Sequence, residues 1–329
     1  MTGRAVPTRI TFRAVDDEPA GASLAGIFAE YWPAYQRWRR GAGPCAAGAG
    51  AAQLRAHMAG RLPVVDSMLE SFGGSDEVAS FLSLYKPPRV VRGCSQIVMD
   101  DDGPVLIRSY DHHPKLFDAV VLTSRWSDTS TLALTDCLWG ALDGVNESGL
   151  AIALAFGGRD AAGPGFAAPL VARYVLETCA TVDEAKDALA RVPVYMPYTF
   201  VVADRSGSFV TAYTGPDTPT RFVTRRTSTN HQGAVEWPAY CAHTQSVERL
   251  NRLESLLTDP PSAAAATDAF LRPPLWRSDY AHASGTLYVA LYRPTTGAMT
   301  LHWPGQREHF SLGTFEPRTF SVDLRASAQ

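Results

Sequence analysis

Arg92-Gly93-Cys94-Ser95-Gln96-Ile97-Val98 is the stretch whose reading decides the fold. It joins two dissimilar halves. Just before it, Lys86-Pro87-Pro88 ends a helix-rich region and starts an extended approach, because proline disfavours helix in the residue preceding it. Just after it, apolar runs separated by turn residues read as strands. Within it, Gly93 has no Cβ, which lets the peptide before Cys94 take a shape that most residues resist. A thiol beside a strained peptide suits an N-to-S acyl shift, in which the Cys94 thiol attacks the Gly93 carbonyl and water then releases the Cys94 α-amine. A cysteine freed in this way carries its own base, since an α-amine titrates near ~8 and lies within reach of the sulfur. Read alone, a cysteine on a strand is more often a core residue.

Working outward, the region before Cys94 reads mostly as helix. Phe28 to Arg40 is aromatic-rich and amphipathic, Gly41-Ala42-Gly43-Pro44 breaks it, and Ala51–Ala59, Val64–Phe72 and Ser75–Leu84 resume helical spacing. On the other side, Ser95–Met99, Val105–Ser109, Ala119–Ser124 and Leu150–Phe156 are expected strands. Two helices follow, Ala168–Cys179 and one opened by the capping box Thr181-Val182-Asp183-Glu184. A hairpin pairs Thr199–Ala203 with Phe209–Tyr213. Arg221–Thr227 is another strand, Ser246–Leu257 a helix, and Thr286–Tyr292 with Met299–Trp303 a late hairpin. Strands, a helix pair and strands again indicate an α+β layered domain with antiparallel sheets.

Composition narrows the function. The chain has 329 residues, 46% hydrophobic and 19% charged, enough to bury a sizeable core. A net charge of −3 advertises neither nucleic acid nor an anionic membrane as partner. The five cysteines are scattered, with no Cys-x-x-Cys pair, so neither a disulfide framework nor a metal site is expected. Met1 to Arg13 carries no apolar signal-like core, and no apolar run approaches ~18 residues. A reducing cytoplasm, where a cysteine nucleophile stays free, is the expected location.

Three further elements could serve chemistry. Arg108-x-x-Asp111 places two charges three apart, which on a straight strand face opposite ways. Pro114 and the adjacent histidines suggest that the strand ends here, so that a bend could turn both toward Cys94; the alternative is a strand-end ion pair of small worth. Asp143-Gly144-x-Asn146 reads as a turn between strands. Asn230, in Thr229-Asn230-His231, offers a side-chain NH₂ able to stabilise an oxyanion, although a loop asparagine is more often structural.

Together, Gly93-Cys94, Arg108-x-x-Asp111, Asp143-Gly144-x-Asn146-Glu147-x-Gly149-Leu150-Ala151, Thr229-Asn230-His231 and Gly285-Thr286-Leu287-Tyr288 resemble the cysteine N-terminal nucleophile hydrolases. The similarity is to the branch of choloylglycine hydrolases, penicillin V acylases and acyl-CoA:6-aminopenicillanic acid acyltransferase, the C45 peptidases, from about Arg92 to Pro304. Two departures are visible: Ser109 stands where the family often has asparagine, and His282-Ala283-Ser284 precedes Gly285 without arginine.

The resemblance implies an αββα sandwich with a mostly helical leading segment, residues 1–93, which becomes a small chain after cleavage, and a catalytic domain, residues 94–329. It implies that Cys94 is both the autoproteolytic and the catalytic nucleophile, cut after Gly93. Asp111 would orient the new α-amine, and Arg108 would favour the thiolate. Asn230 would donate to the oxyanion with a backbone N–H near Phe156, and Arg249 would match an arginine of the bile-salt branch. The implied activity is hydrolysis of a linear amide through a thioester acyl-enzyme, with no cofactor. Acyl transfer from a thioester or amide to an amine is the alternative, and a non-catalytic binding protein on the same fold is the alternative of another class. Expected partners are a small-molecule amide or acyl thioester and the chain's own two pieces; a homo-oligomer is compatible with all of this.

Overall fold

A computed structural model of the chain describes residues 9–42 and 48–324. Gly43, Pro44 and Cys45, and with them part of the expected helix break, lie outside the described residues. Two sheets pack face to face. Among the described residues one has nine strands, ordered Arg221–Val223, Phe209–Thr214, Tyr198–Asp204, Leu150–Phe156, Gly140–Asn146, Thr131–Asp136, Val120–Ser124, Arg9–Asp17 and Arg318–Asp323. The other has seven: Thr227–Ser228, Gly93–Asp100, Pro104–His112, Ser284–Arg293, Ala298–Trp303 and Gln306–Ser311 in order, with Ser278–Asp279 beside Ser284–Arg293.

Helices cover the outer faces. Ala168–Thr178 and Val182–Arg191 lie on the nine-stranded sheet, and Ser246–Thr258 and Ala263–Phe270 on the other, giving the αββα layering. This explains the uninterrupted apolar run Leu150–Phe156. It is buried along its whole length because a sheet covers one face and the helix Ala168–Thr178 the other. Gly144 lets that helix approach closely: a Cβ there would sit 2.7 Å from Leu176 Cδ1 and 2.8 Å from Ala133 Cβ.

The leading segment is less helical than the sequence suggested. Its helices are present: Ala25–Arg39, Ala49–His57, Leu62–Ser71 and Asp76–Leu82, the last capped by Ser75, whose hydroxyl accepts from the Val78 N–H. Phe28 stacks on Phe72 at 4.3 Å between ring centroids, and Tyr35 meets Phe81 at 4.6 Å. Ahead of them, however, Arg9–Asp17 is a strand. It pairs antiparallel with Arg318–Asp323 and parallel with Val120–Ser124. This strand of the leading segment is thus built into the nine-stranded sheet.

Two local readings also change. Asp143-Gly144-Val145-Asn146 is strand, not turn; the turn follows it, where Asn146 Oδ1 accepts from the Leu150 N–H at 2.8 Å. The Asn146 NH₂ donates to the carbonyls of Leu176 and Cys179, tying this turn to the helix end. The expected strand Arg221–Thr227 is split, its two ends joining different sheets. No helix among the described residues is long and apolar enough to cross a membrane.

Candidate active site

Strand register arranges the surroundings of Cys94. Gly93–Asp100 pairs antiparallel with Pro104–His112, setting Gly93 opposite Asp111, Cys94 opposite Tyr110 and Gln96 opposite Arg108. Directly paired residues share a face, as do residues two apart along a strand. Cys94, Gln96, Arg108 and Tyr110 thus face the other sheet. Gly93, Ser95, Ser109 and Asp111 face the helix Ser246–Thr258. The expected bend does not occur, since the strand continues through His112.

On the inner face, Arg108 Nη2 donates to Cys94 Sγ at 3.3 Å. The rest of this buried guanidinium is held rigidly. Nη1 pairs with Asp143 of the opposing sheet and meets the Tyr288 hydroxyl at 2.6 Å, while Nε donates to the Leu154 carbonyl at 3.1 Å. Tyr288 and Tyr292 both donate to the Asp143 carboxylate. A register shift between Thr286 and Tyr288 turns both tyrosines inward. Burial is the largest influence on the Cys94 thiol and pushes its pKa up; Arg108 opposes this, and Asp111 adds to it. Arg108 lowers the thiol pKa, but in the intact chain burial outweighs it.

On the helix face, Arg249 is fully buried and makes four hydrogen bonds. Nη1 donates to the Cys94 carbonyl at 2.6 Å and to Ser95 Oγ at 2.7 Å. Nη2 donates to Asn230 Oδ1 at 2.6 Å, and Nε to the Thr244 carbonyl at 2.8 Å. Asp111 Oδ1 accepts from Thr286 Oγ1 at 2.8 Å. Its Oδ2 is buried with no hydrogen-bond partner among the described residues, and Arg249 Nη1 lies 3.6 Å away. Gly93 packs directly on this carboxylate: a Cβ on Gly93 would fall 2.8 Å from Oδ2 and 2.9 Å from the Asp111 Cβ. Gly93 lies in an extended strand without a positive φ, so the need for glycine is one of close approach and not of backbone strain.

Asn230 bridges the two sides of the Cys94 peptide. Its Oδ1 accepts from the Cys94 N–H at 2.9 Å. Its NH₂ donates to the Arg92 carbonyl at 2.9 Å and to the Phe156 carbonyl at 3.2 Å. The Arg92 carbonyl also accepts from the Tyr240 hydroxyl at 2.5 Å. The Phe156 atom that meets Asn230 is its carbonyl oxygen, an acceptor, and a different atom from the backbone N–H expected near there. The Asn230 backbone is fixed by Ser246 Oγ, which accepts from its N–H at 2.9 Å.

Cys94, Gly93, Arg108, Asp111, Asn230, Arg249 and Phe156 thus converge on one peptide. Asp143, Thr286 and Tyr288 hold Arg108 and Asp111 in place, a part that the turn reading of Asp143 did not give it. Their signal was present, since all three lie in segments quoted above for the resemblance. Tyr240 lay in none of them.

The model of the acyl-coenzyme A:6-aminopenicillanic acid acyl-transferase family matches residues 98–308. The chain belongs to that family, which places it among amide hydrolases and acyltransferases. The matched stretch begins just after Cys94 and contains Arg108, Asp111, Asn230 and Arg249. No curated protein matches the chain in sequence. Among solved structures, a mutant conjugated bile acid hydrolase from Clostridium perfringens is similar at 11% identity and TM-score 0.46, covering 70% of this chain and 97% of that one. Penicillin V acylase from Agrobacterium tumefaciens is similar at 16% identity and TM-score 0.45, covering 70% and 91%. A Caenorhabditis elegans ortholog of N-acylethanolamine-hydrolyzing acid amidase is similar at 16% identity and TM-score 0.46, covering 61% and 93%.

Proposed function

We propose that this member of the acyl-coenzyme A:6-aminopenicillanic acid acyl-transferase family cuts itself between Gly93 and Cys94 and then uses Cys94 to hydrolyse linear amides. One observation carries the reading. Asp111 Oδ2 is a buried acceptor without a hydrogen-bond donor among the described residues, packed against the Gly93 side of the peptide whose cleavage would create an ammonium group on Cys94. A buried polar atom left unpaired is costly, and the product amine would satisfy it.

In the first reaction Cys94 Sγ bonds to the Gly93 carbonyl carbon. The C–N bond breaks and the nitrogen leaves as the Cys94 amine, taking a proton. Water then attacks the thioester, leaving a Gly93 carboxylate and a free thiol. In the second reaction the α-amine accepts the thiol proton and the sulfur attacks the substrate's acyl carbon. The proton passes to the departing amine, and an acyl-Cys94 thioester remains. Arg108 stabilises sulfur as thiolate, Asp111 orients the amine, and Arg249 holds the Cys94 carbonyl and Asn230 in register. Once the Arg92 carbonyl withdraws, the Asn230 NH₂ is free to donate to the oxyanion. Residues 1–93 and 94–329 stay together after cleavage, because Arg9–Asp17 is a strand of the large sheet.

Acyl transfer is the second reading, favoured by the family match. It shares every step up to the thioester and differs only in whether water or an amine resolves it. The test is intact-mass measurement on processed protein quenched during turnover of N-acyl amino acids, acyl-homoserine lactones, penicillins and acyl-CoA/amine pairs. The expected result is an acyl adduct on the chain beginning at Cys94, lost when that cysteine is alkylated. Turnover without any Cys94 dependence would refute the reading.

A further inference from the structure

The strap leading into Cys94 is unusual in what it carries. Arg92 is almost fully buried, its Nη1 pairs with the equally buried Asp136, and its guanidinium carbon lies 5.7 Å from the centre of the Tyr110 ring. Around this pair is a cavity of about 360 Å³ lined by Tyr31, Tyr35, Trp38, Phe117 and Asp118 as well as Arg92 and Asp136. A smaller void of about 20 Å³ on the Tyr198 side is lined by the same Trp38, Arg92 and Asp136. Val90 and Arg92 of the strap line both.

Resting on the proposed function, we infer that the mature enzyme prefers acyl groups with an unsubstituted α-carbon and a cation at arginine-like reach, bound where Gly93 and Arg92 lie in the intact chain. One sulfur attacks one carbon in both reactions. The acyl side of a substrate must therefore follow the track that Gly93 and Arg92 occupy before cleavage. At the α-carbon, Asp111 leaves no room for a substituent: an added Cβ would come within 2.8 Å of Oδ2 and 2.9 Å of the Asp111 Cβ. Further out, Asp136 is built to face a cation. Cleavage puts a carboxylate on Gly93 beside that of Asp111, and like charges at this range repel. When the strap leaves, Asp136 loses its partner; of the basic residues that line the same site, Lys115 is exposed to solvent and burial holds His112 neutral. A buried charge stripped of its partner is strongly unfavourable, so a cationic substrate group regains what the departing Arg92 gave up. Trp38, Tyr31 and Tyr35 supply apolar walls for the stem of such a group.

The test uses processed wild-type protein and four p-nitroanilides: N-acetyl-arginyl-glycyl, N-acetyl-citrullinyl-glycyl, N-acetyl-leucyl-glycyl and N-acetyl-arginyl-alanyl. The arginyl-glycyl anilide is expected to exceed the neutral citrullinyl and leucyl forms by roughly tenfold or more in kcat/KM, and the arginyl-alanyl form by more still. In Asp136→Asn, made by co-expressing residues 1–93 with the chain beginning at Cys94, the arginyl-over-citrullinyl preference should vanish. Equal rates for arginyl and citrullinyl anilides, or for the glycyl and alanyl pair, would overturn this inference and leave the proposed function standing. If none of the four leaves an acyl adduct on Cys94 and none of the wider amide panel does either, the proposed function falls and the inference with it.

Discussion

Arg108 and Asp111, three apart on one straight strand, lie on opposite faces of the sheet that carries Cys94. The Arg108 guanidinium donates to the sulfur at 3.3 Å on the inner face, while the Asp111 carboxylate packs against Gly93 on the helix face. The period of a strand makes this division unavoidable. It also separates the two contacts physically: one side chain meets the sulfur, the other packs on the Gly93 α-carbon, the acyl side of the bond.

That separation predicts different pH behaviour. Burial raises the thiol pKa and Arg108 lowers it, so removing Arg108 raises it further and reduces the thiolate present at any given pH. The rate of self-cleavage in Arg108→Gln should rise with pH along a limb displaced to higher pH than in wild type. Asp111 raises the thiol pKa, so Asp111→Asn should leave the limb in place or move it to lower pH, while self-cleavage slows throughout because the departing nitrogen, as it gains a proton, loses its buried anionic acceptor. Processing half-lives measured by gel across pH would show this; superimposable profiles for the two variants would contradict it.

Asn230 allows its two halves to be tested apart. Asn230→Ala strands the Cys94 N–H and Arg249 Nη2 as well as removing the NH₂, so it should cost stability of about 1–3 kcal/mol along with rate. Asn230→Asp keeps an acceptor for both donors but removes the NH₂. Its kcat, in pre-cleaved protein, should fall by roughly 10²–10³. A normal kcat for the Asp variant would make Asn230 a purely structural residue.

At Gly93 the obstacle is steric. Gly93→Ala should slow processing by at least about tenfold and lower stability by about 1–3 kcal/mol, because the new methyl group meets Asp111. Wild-type processing of this variant would show that the strand and Asp111 part easily.

How much of this was legible depended on distance along the chain. The expected strands around Cys94 and the capped helix Val182–Arg191 follow from local pattern, and Thr181 does accept from the Glu184 N–H. Arg9–Asp17 was also legible: Ile10, Phe12 and Ala14 alternate with polar or half-exposed neighbours, but that stretch was read only for a leader. Asp143 and Gly144 looked like a turn because their strand use is a tertiary demand, for Arg108 on one side and the helix at Leu176 on the other. Asn230 and Arg249 touch the Cys94 peptide across 136 and 155 residues, which no local pattern reports. The inward turn of Tyr288 depends on one register shift, which is equally silent in sequence.

Asp118 gives a stability prediction. Burial first, and Asp136 next, raise its pKa from 3.8 to about 7. A carboxyl raised on folding favours the folded state at low pH and loses that contribution as pH rises through the folded value. Between about pH 4 and 7 this group should therefore lower Tm as pH increases. Asp118→Asn should flatten that part of the Tm profile; an unchanged slope would place the proton elsewhere.

The most direct test of self-cleavage is the intact mass of the freshly purified protein beside Cys94→Ala. Wild type should give two masses, those of residues 1–93 and 94–329, which run together on native size exclusion and separate only on denaturation. Cys94→Ala should give the single full-length mass. A wild-type chain that remains one piece while hydrolysing amides, or a Cys94→Ala chain that is cut at the same bond, would contradict the account.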